Sequence, residues 1–274
     1  MIRRLFHTAI FALLAAAGCS GDIFRETEPR LAIDGFIEDG GFPVVIVTTT
    51  IPVTDRLMDE KEIRDCVARW AKVTVSDGEN EVILTGKSDK DYFPSYIYTT
   101  GKLRGKAGRT YRLEAEYHGM KASAVTTIPD APAISDIRVM KSEESGSQYY
   151  IQADFNCPDG LHCAFFIRQE GEERSFKPAY LGLVDHAAGS WAIYPPQLEK
   201  WAQMNPYFES GSTVDIKLCT MDDASYGYWD SFAALSTFSS NVLVPYDDNL
   251  SSNVSGGEGL WAGYGTDVRK VTIP

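Results

Sequence analysis

From Thr110 to Thr127 the chain reads TYRLEAEYHGMKASAVTT, in which Tyr111, Leu113 and Ala115 alternate with Arg112, Glu114 and Glu116. Successive side chains of a strand point to opposite faces. The alternation therefore puts apolar groups on one face and charges on the other, which a helical period would mix. One buried face and one wet face describe an antiparallel sheet lying on a core. The same pattern recurs in AKVTVSDGENEVILTG (71–86), where Val73 and Val75 precede an SDGEN turn and Val82 and Leu84 follow it. That is a hairpin. RLAIDGFIED (30–39), with Leu31, Ile33 and then Phe36 as its apolar series, and the β-branched FPVVIVTTT (42–50) also read as strands. Polar residues from Asp55 to Arg69 read as a long loop or short helix. A Pro-rich break, PDAPAI (129–134), follows the first set of strands.

The second half restarts with strands YYIQADF (149–155), CAFFIRQEG (163–171) and STVDIKLCTMD (212–222), the last with Val214, Ile216 and Leu218 inward. PPQLEKWAQM (195–204) predicts a helix with Pro196 at its first position, and ASYGYWDSFAALSTF (224–238) a second short one. The expected fold is mainly β: an N-terminal β-sandwich at 30–130 and a second β-rich domain at 133–274 with one or two short helices.

The chain opens MIRRLFHTAIFALLAAAGCSGD. Arg3 and Arg4 precede an apolar run too short to span a bilayer, and small residues lead to Cys19. This resembles a bacterial lipobox, with Ala16 where Leu is commoner. It implies a signal peptide at 1–18, acylation of Cys19, and a lipidated tether at 19–29. Removing residues 1–18 takes out two arginines and no acid, so the formal charge of −12 becomes −14. A surface so negative repels phosphate backbones, which argues against a nucleic-acid partner.

Four cysteines follow Cys19. Cys157 and Cys163 bracket CPDGLHC, whose Pro-Asp-Gly signals a turn, and in an exported protein they are expected to pair across a hairpin loop. Cys66 and Cys219 bridge each other or stay free; the sequence leaves both open. His118, His162 and His186 sit in separate turns or loops without metal-ligand spacing, and no Gly-x-Ser-x-Gly elbow occurs. The paired acids Asp222-Asp223 and Asp247-Asp248 suit either calcium or polar turns. No catalytic residue, metal or cofactor is expected. The Gly-rich stretch NVSGGEGLWAGYG (253–265) lacks the Lys of a phosphate loop and carries Glu258, so its glycines read as room for a closely packed strand. The aromatics of the second half serve either a core or a recognition surface. Trp191, Tyr194, Trp201 and Tyr207, on a long Pro-broken stretch, are the candidate ligand or partner contacts.

Five motifs occur in order: AKVTVSDG, GKAGRTYRLEAEYHG, TTIPDAPAI, YGYWDSF and NVSGGEGLWAGYG. With the lipobox they resemble the Bacteroidetes outer-membrane lipoprotein family known as domain of unknown function 4249. The resemblance runs from about Arg30 onward. It implies a two-part β protein whose first part is an immunoglobulin-like or peptidase-regulatory-like sandwich. It also implies an outer-membrane accessory of a TonB-dependent transporter, and it transfers no catalytic residue. Members usually carry an Asp-Pro-Pro-Gly-like turn where this chain has CPDGLHC. The functional expectation is a lipid-anchored binding accessory in nutrient uptake, on either face of the outer membrane. Surface adhesion as a fimbria-associated subunit, and hydrolysis at an unrecognised site, are the alternatives.

Overall fold

The computed structural model describes residues 29–50, 60–143, 148–170, 175–196, 207–238 and 250–274. Apart from Pro29, all that follows concerns the unit of Arg30–Thr50 with Met58–Pro274. The proposed lipidation site Cys19, Trp201, Asp247-Asp248 and most of the helix expected over 195–204 lie outside the described residues.

The first half contains β1 (Leu31–Glu38), β2 (Val44–Thr49), α1 (Glu60–Asp65), β3 (Lys72–Ser76), β4 (Glu81–Ile83), β5 (Thr85–Ser88), β6 (Tyr96–Thr99), β7 (Thr110–Tyr117) and β8 (Met120–Thr127). The second contains β9 (Ala133–Lys141), β10 (Gln148–Asn156), β11 (His162–Gln169), β12 (Lys177–Val184), β13 (Ala188–Ile193), β14 (Phe208–Glu209), β15 (Thr213–Met221), α2 (Asp223–Phe238) and β16 (Gly257–Thr272). An eight-stranded sheet runs β12-β11-β15-β16-β1-β2-β6-β5. Two four-stranded sheets accompany it: β4-β3-β7-β8, and β13-β10-β14 with β9 against β10.

Period-two patterning explains the small sheets. Tyr111, Leu113 and Ala115 of β7 are buried while Arg112, Glu114 and Glu116 are exposed. β3 pairs with β4 through Val75↔Val82, as the SDGEN hairpin requires. The β7–β8 turn has two central residues, His118 at φ 48° and Gly119 at φ 84°. Positive φ at both is the condition for a tight hairpin turn that matches strand twist.

The large sheet carries two cores on one face. In the first, Leu31, Ile33, Ile37, Val45, Val47 and Tyr98 pack against Val73, Val75, Tyr111, Leu113 and Ala124. In the second, Phe165, Ile167, Ile216 and Leu218 pack against Ile151, Phe155, Ile193 and Phe208. The residues change from one core to the other near Pro129–Ile134, but the sheet does not divide there. β16 pairs in parallel with β1 through its first half and antiparallel with β15 through its second. Trp261 consequently completes the first core from near the C-terminus, its Nε1 donating to the Tyr111 carbonyl at 3.1 Å.

The Gly-rich stretch serves this double pairing. Asn253 donates to the Trp261 carbonyl at 2.8 Å and accepts from its amide at 2.9 Å. Gly259 has φ 110°, and a Cβ there would lie 1.9 Å from the Ile33 carbonyl oxygen. Only a glycine lets β16 approach β1 this closely.

Two expectations are corrected. Phe36 does not share a face with Leu31 and Ile33; Ile37 does, and Phe36 lies on the opposite face among a third apolar cluster. Cys157 and Cys163 lie at disulfide distance, with Cα atoms 6.2 Å apart, but they do not bridge a hairpin. β10 and β11 belong to different sheets, so the Pro-Asp-Gly turn carries the chain across the second core. The bridge ties two layers together. Cys66 and Cys219 are unpaired.

Candidate functional site

The opposite face of the large sheet is where the chemistry gathers. Alternation along β1 sends Leu31, Ile33 and Ile37 to the first core and leaves Asp34, Phe36 and Glu38 on the other side. Alternation along β15 does the same for Lys217 and Cys219, β11 adds Phe166 and Arg168, and β16 adds Leu260 and Tyr264. With Trp229 of α2, Tyr92 and Phe93 of the 89–95 loop, and Phe176, they line an open cavity of about 1010 Å³.

α2 is held over this face by polar contacts that its sequence supplies. Asp222 caps it, its Oδ1 accepting from the Ser225 amide at 2.9 Å, which satisfies an otherwise orphan donor. Trp229 Nε1 donates to the Tyr264 hydroxyl at 2.8 Å. Tyr264 is deeply buried, and that burial holds its pKa well above the ordinary value.

One end of the cavity is a closed charge system. The Lys217 ammonium donates to Glu38 at 2.5 Å and sits 4.3 Å from the Phe176 ring centroid, 5.7 Å from Phe166 and 5.8 Å from Phe36. Three ring faces and a carboxylate compensate an ammonium whose side chain is only 8% exposed. Arg168 stacks on Phe176 at 4.6 Å and donates to Asp215 at 2.7 Å. Burial of Asp215 works to raise its pKa, but Arg168 and Lys270 outweigh it and the net shift is downward.

The other end differs. Asp34 makes no hydrogen bond or ion pair with another described residue. Its carboxyl reaches the water of the cavity, but the surrounding protein crowds it and raises its pKa by desolvation. Burial pushes Tyr92 up to about 12, helped by Asp89, Glu38, Asp91 and Asp34. Tyr228 is likewise pushed to about 12, by burial and then by Asp34. Burial also lifts Cys219 to about 12, so its thiol stays protonated at neutral pH.

The residues singled out in the sequence lie elsewhere. Trp191 belongs to β13, half-buried, with Nε1 donating to the Leu181 carbonyl at 3.0 Å. Tyr194 stacks on Tyr150 at 5.6 Å and meets Tyr180 edge-on at 6.5 Å and Tyr207 at 5.9 Å. These four half-exposed tyrosines form a surface cluster away from the cavity's lining. Asp222 and Asp223 diverge: the first caps α2, and the second pairs with His162 at 3.0 Å, whose ring stacks on Tyr226. His186 pairs with Asp185, and His118 occupies its hairpin turn. Among the described residues, no three His, Cys, Asp or Glu side chains converge to hold a metal.

Sequence reasoning missed Asp34, Glu38 and Lys217. Each is a charge at period two inside a strand, which ordinarily marks a solvated face. Only the position of β1, β15 and β16 at the centre of the sheet makes that face a cavity floor.

No curated protein matches the chain. The family profile for DUF4249, a domain of unknown function, matches residues 22–270, nearly the whole length and all the strands that build the cavity floor. This mainly β chain, with its two cores under one sheet and its cavity on the far side, belongs to the DUF4249 family.

Proposed function

We propose that the chain is a lipid-anchored binding protein of the outer membrane, and that it partners a TonB-dependent transporter in nutrient uptake. The observation carrying this reading is the cavity of about 1010 Å³, lined by rings and by charges most of which are already compensated. Apolar walls with a few placed polar groups suit retention of a small ligand. The one thiol among the described lining residues, Cys219, is held protonated and is therefore a poor nucleophile. Acylation at Cys19 would tether the chain without a spanning helix. The cluster of Tyr150, Tyr180, Tyr194 and Tyr207 offers rigid amphipathic rings for a protein partner.

The test is affinity purification of the tagged chain from detergent-solubilised outer membrane, with wild type and Cys19→Ala compared. The expected result is a stoichiometric TonB-dependent barrel with the wild type, and loss of the variant from the membrane fraction. Recovery of the chain alone would refute the accessory role. Recovery with filament subunits would refute it in favour of adhesion.

A further inference from the structure

We propose that the Asp34 end of the cavity binds an organic cation: a small ligand carrying an ammonium or guanidinium group on an apolar body. The inference deepens the binding reading above and rests on it.

The cavity floor there holds one carboxylate with no partner among the described residues. Charged groups surrounded by protein are normally paired, because removing them from water costs more than an isolated charge recovers. The other charges lining the cavity follow that rule. Glu38 is paired with Lys217 and Arg168 with Asp215, while Arg64, Asp91 and Lys177 have interactions of their own. Lys90 stands exposed at the margin. Asp34 is the acid without such a partner, and it stands on the cavity floor, projecting from a central strand and open to the cavity.

Its surroundings suit a cation. Phe36 follows two residues along the same face of β1, and the rings of Tyr92, Trp229 and Tyr264 line the same space. Ring faces attract ammonium and guanidinium groups. The charges that act on the Tyr92 hydroxyl are Asp89, Glu38, Asp91 and Asp34, all of one sign.

The protein already shows the arrangement at the other end. Lys217 is an ammonium held by one carboxylate and three phenylalanine rings. Asp34 offers a second carboxylate among rings, with the cation missing from the chain itself. No third His, Cys, Asp or Glu converges on it among the described residues, which favours an organic cation over a metal ion.

The experiment is isothermal titration calorimetry of the detergent-solubilised full chain. The probes are phenethylammonium, its neutral analogue 2-phenylethanol and the anion 3-phenylpropionate. Phenethylammonium should bind saturably, and at least about tenfold more tightly than either analogue, as expected for a charge-assisted hydrogen bond in a crowded site. Asp34→Asn, close in shape, should erase that preference while circular dichroism stays unchanged. Glu209→Gln, at an exposed carboxylate outside the cavity's lining, should preserve it. Equal binding of the neutral analogue, preference for the anion, no saturable binding of the cation, or a preference that survives in Asp34→Asn would each overturn the proposal. The transporter reading fails separately. A co-purified barrel without cation preference sinks only the ligand class, and cation preference without a barrel sinks only the accessory role.

Discussion

Replacing Trp261 by alanine tests the claim that the C-terminal strand is part of the N-terminal core. The side chain is fully buried, and the residues around it come from β1, β7 and β8. A buried aromatic side chain removes about 150–250 Å² from water, worth about 4–6 kcal/mol at ~25 cal/mol per Å². Measured costs of such truncations, about 3–5 kcal/mol, agree. The Tyr111 carbonyl also loses the indole donor at 3.1 Å but keeps its ladder position opposite Thr126, adding about 0.5–1.5 kcal/mol. The expected loss is about 4–6 kcal/mol, against a typical total of about 5–15 kcal/mol. Trp261→Phe keeps most of the area and should lose about 1–3 kcal/mol. Urea unfolding followed by far-UV circular dichroism gives the free energies, and hydrogen exchange shows whether the amides of β7 lose protection. A chain ending at Asp130 lacks β16 and should show no cooperative transition. A loss below about 1 kcal/mol in Trp261→Ala, unchanged protection in β7, or independent folding of residues 30–130 would refute the reasoning.

Two further outcomes follow from single groups. Asp34 has a folded pKa above its ordinary 3.8, so between those values the folded state holds the extra proton and stability falls as pH rises. Asp34→Asn should therefore unfold at higher urea than wild type at pH 7, with the gap closing as pH drops below 3.8; a variant less stable at pH 7, or a gap independent of pH, contradicts this. The Cys157–Cys163 bridge closes a short loop of sequence separation 6, and loop-closure entropy gives about 2 kcal/mol for its removal. Cys157→Ala/Cys163→Ala should lose about that much in oxidising buffer and nothing further under reductant, whereas a loss under 0.5 kcal/mol would leave the bridge without a structural role.

What was legible in the sequence depended on whether a strand has a wet face. β7 and β8 have one, so TYRLEAEYHGMKASAVTT declared its period, its turn and its core side. β15 does not: from Val214 to Met221 every residue is buried, Asp215 and Lys217 included. There the charged positions look solvated in sequence and face protein in the structure. The parallel pairing of β1 with β16 joins the two ends of the described chain and has no local signal at all; the glycines of 253–265 reported only that something approaches closely. The CPDGLHC turn was legible as a turn, but a hairpin and an inter-sheet crossing share the same local chemistry. Which one forms depends on sheet membership. The tyrosine cluster was half legible, through Tyr194 and Tyr207; Tyr150 joins it from β10, read simply as a strand, and Tyr180 from β12, which had no sequence reading.

The charges on β1 that the sequence reading missed have one cause. Because β16 threads between β1 and β15, the cores of both halves lie against a single sheet, and its far face at that junction is left to α2 and the cavity. A chain with two independent sandwiches would have put Asp34 and Glu38 on an outer face, in water, where a charge at period two costs nothing. In the joined sheet the same two positions become crowded. Glu38 is then compensated by Lys217, which comes from the other half of the chain, and Asp34 is not. An unpaired carboxylate at the centre of a sheet opposes stability, and asparagine would fit the same space without that cost. The destabilising choice marks Asp34 as the position where folding and binding make opposite demands. Asp34→Asn should move stability upward and cation preference to zero in the same molecule, a combination that a merely structural residue would not produce.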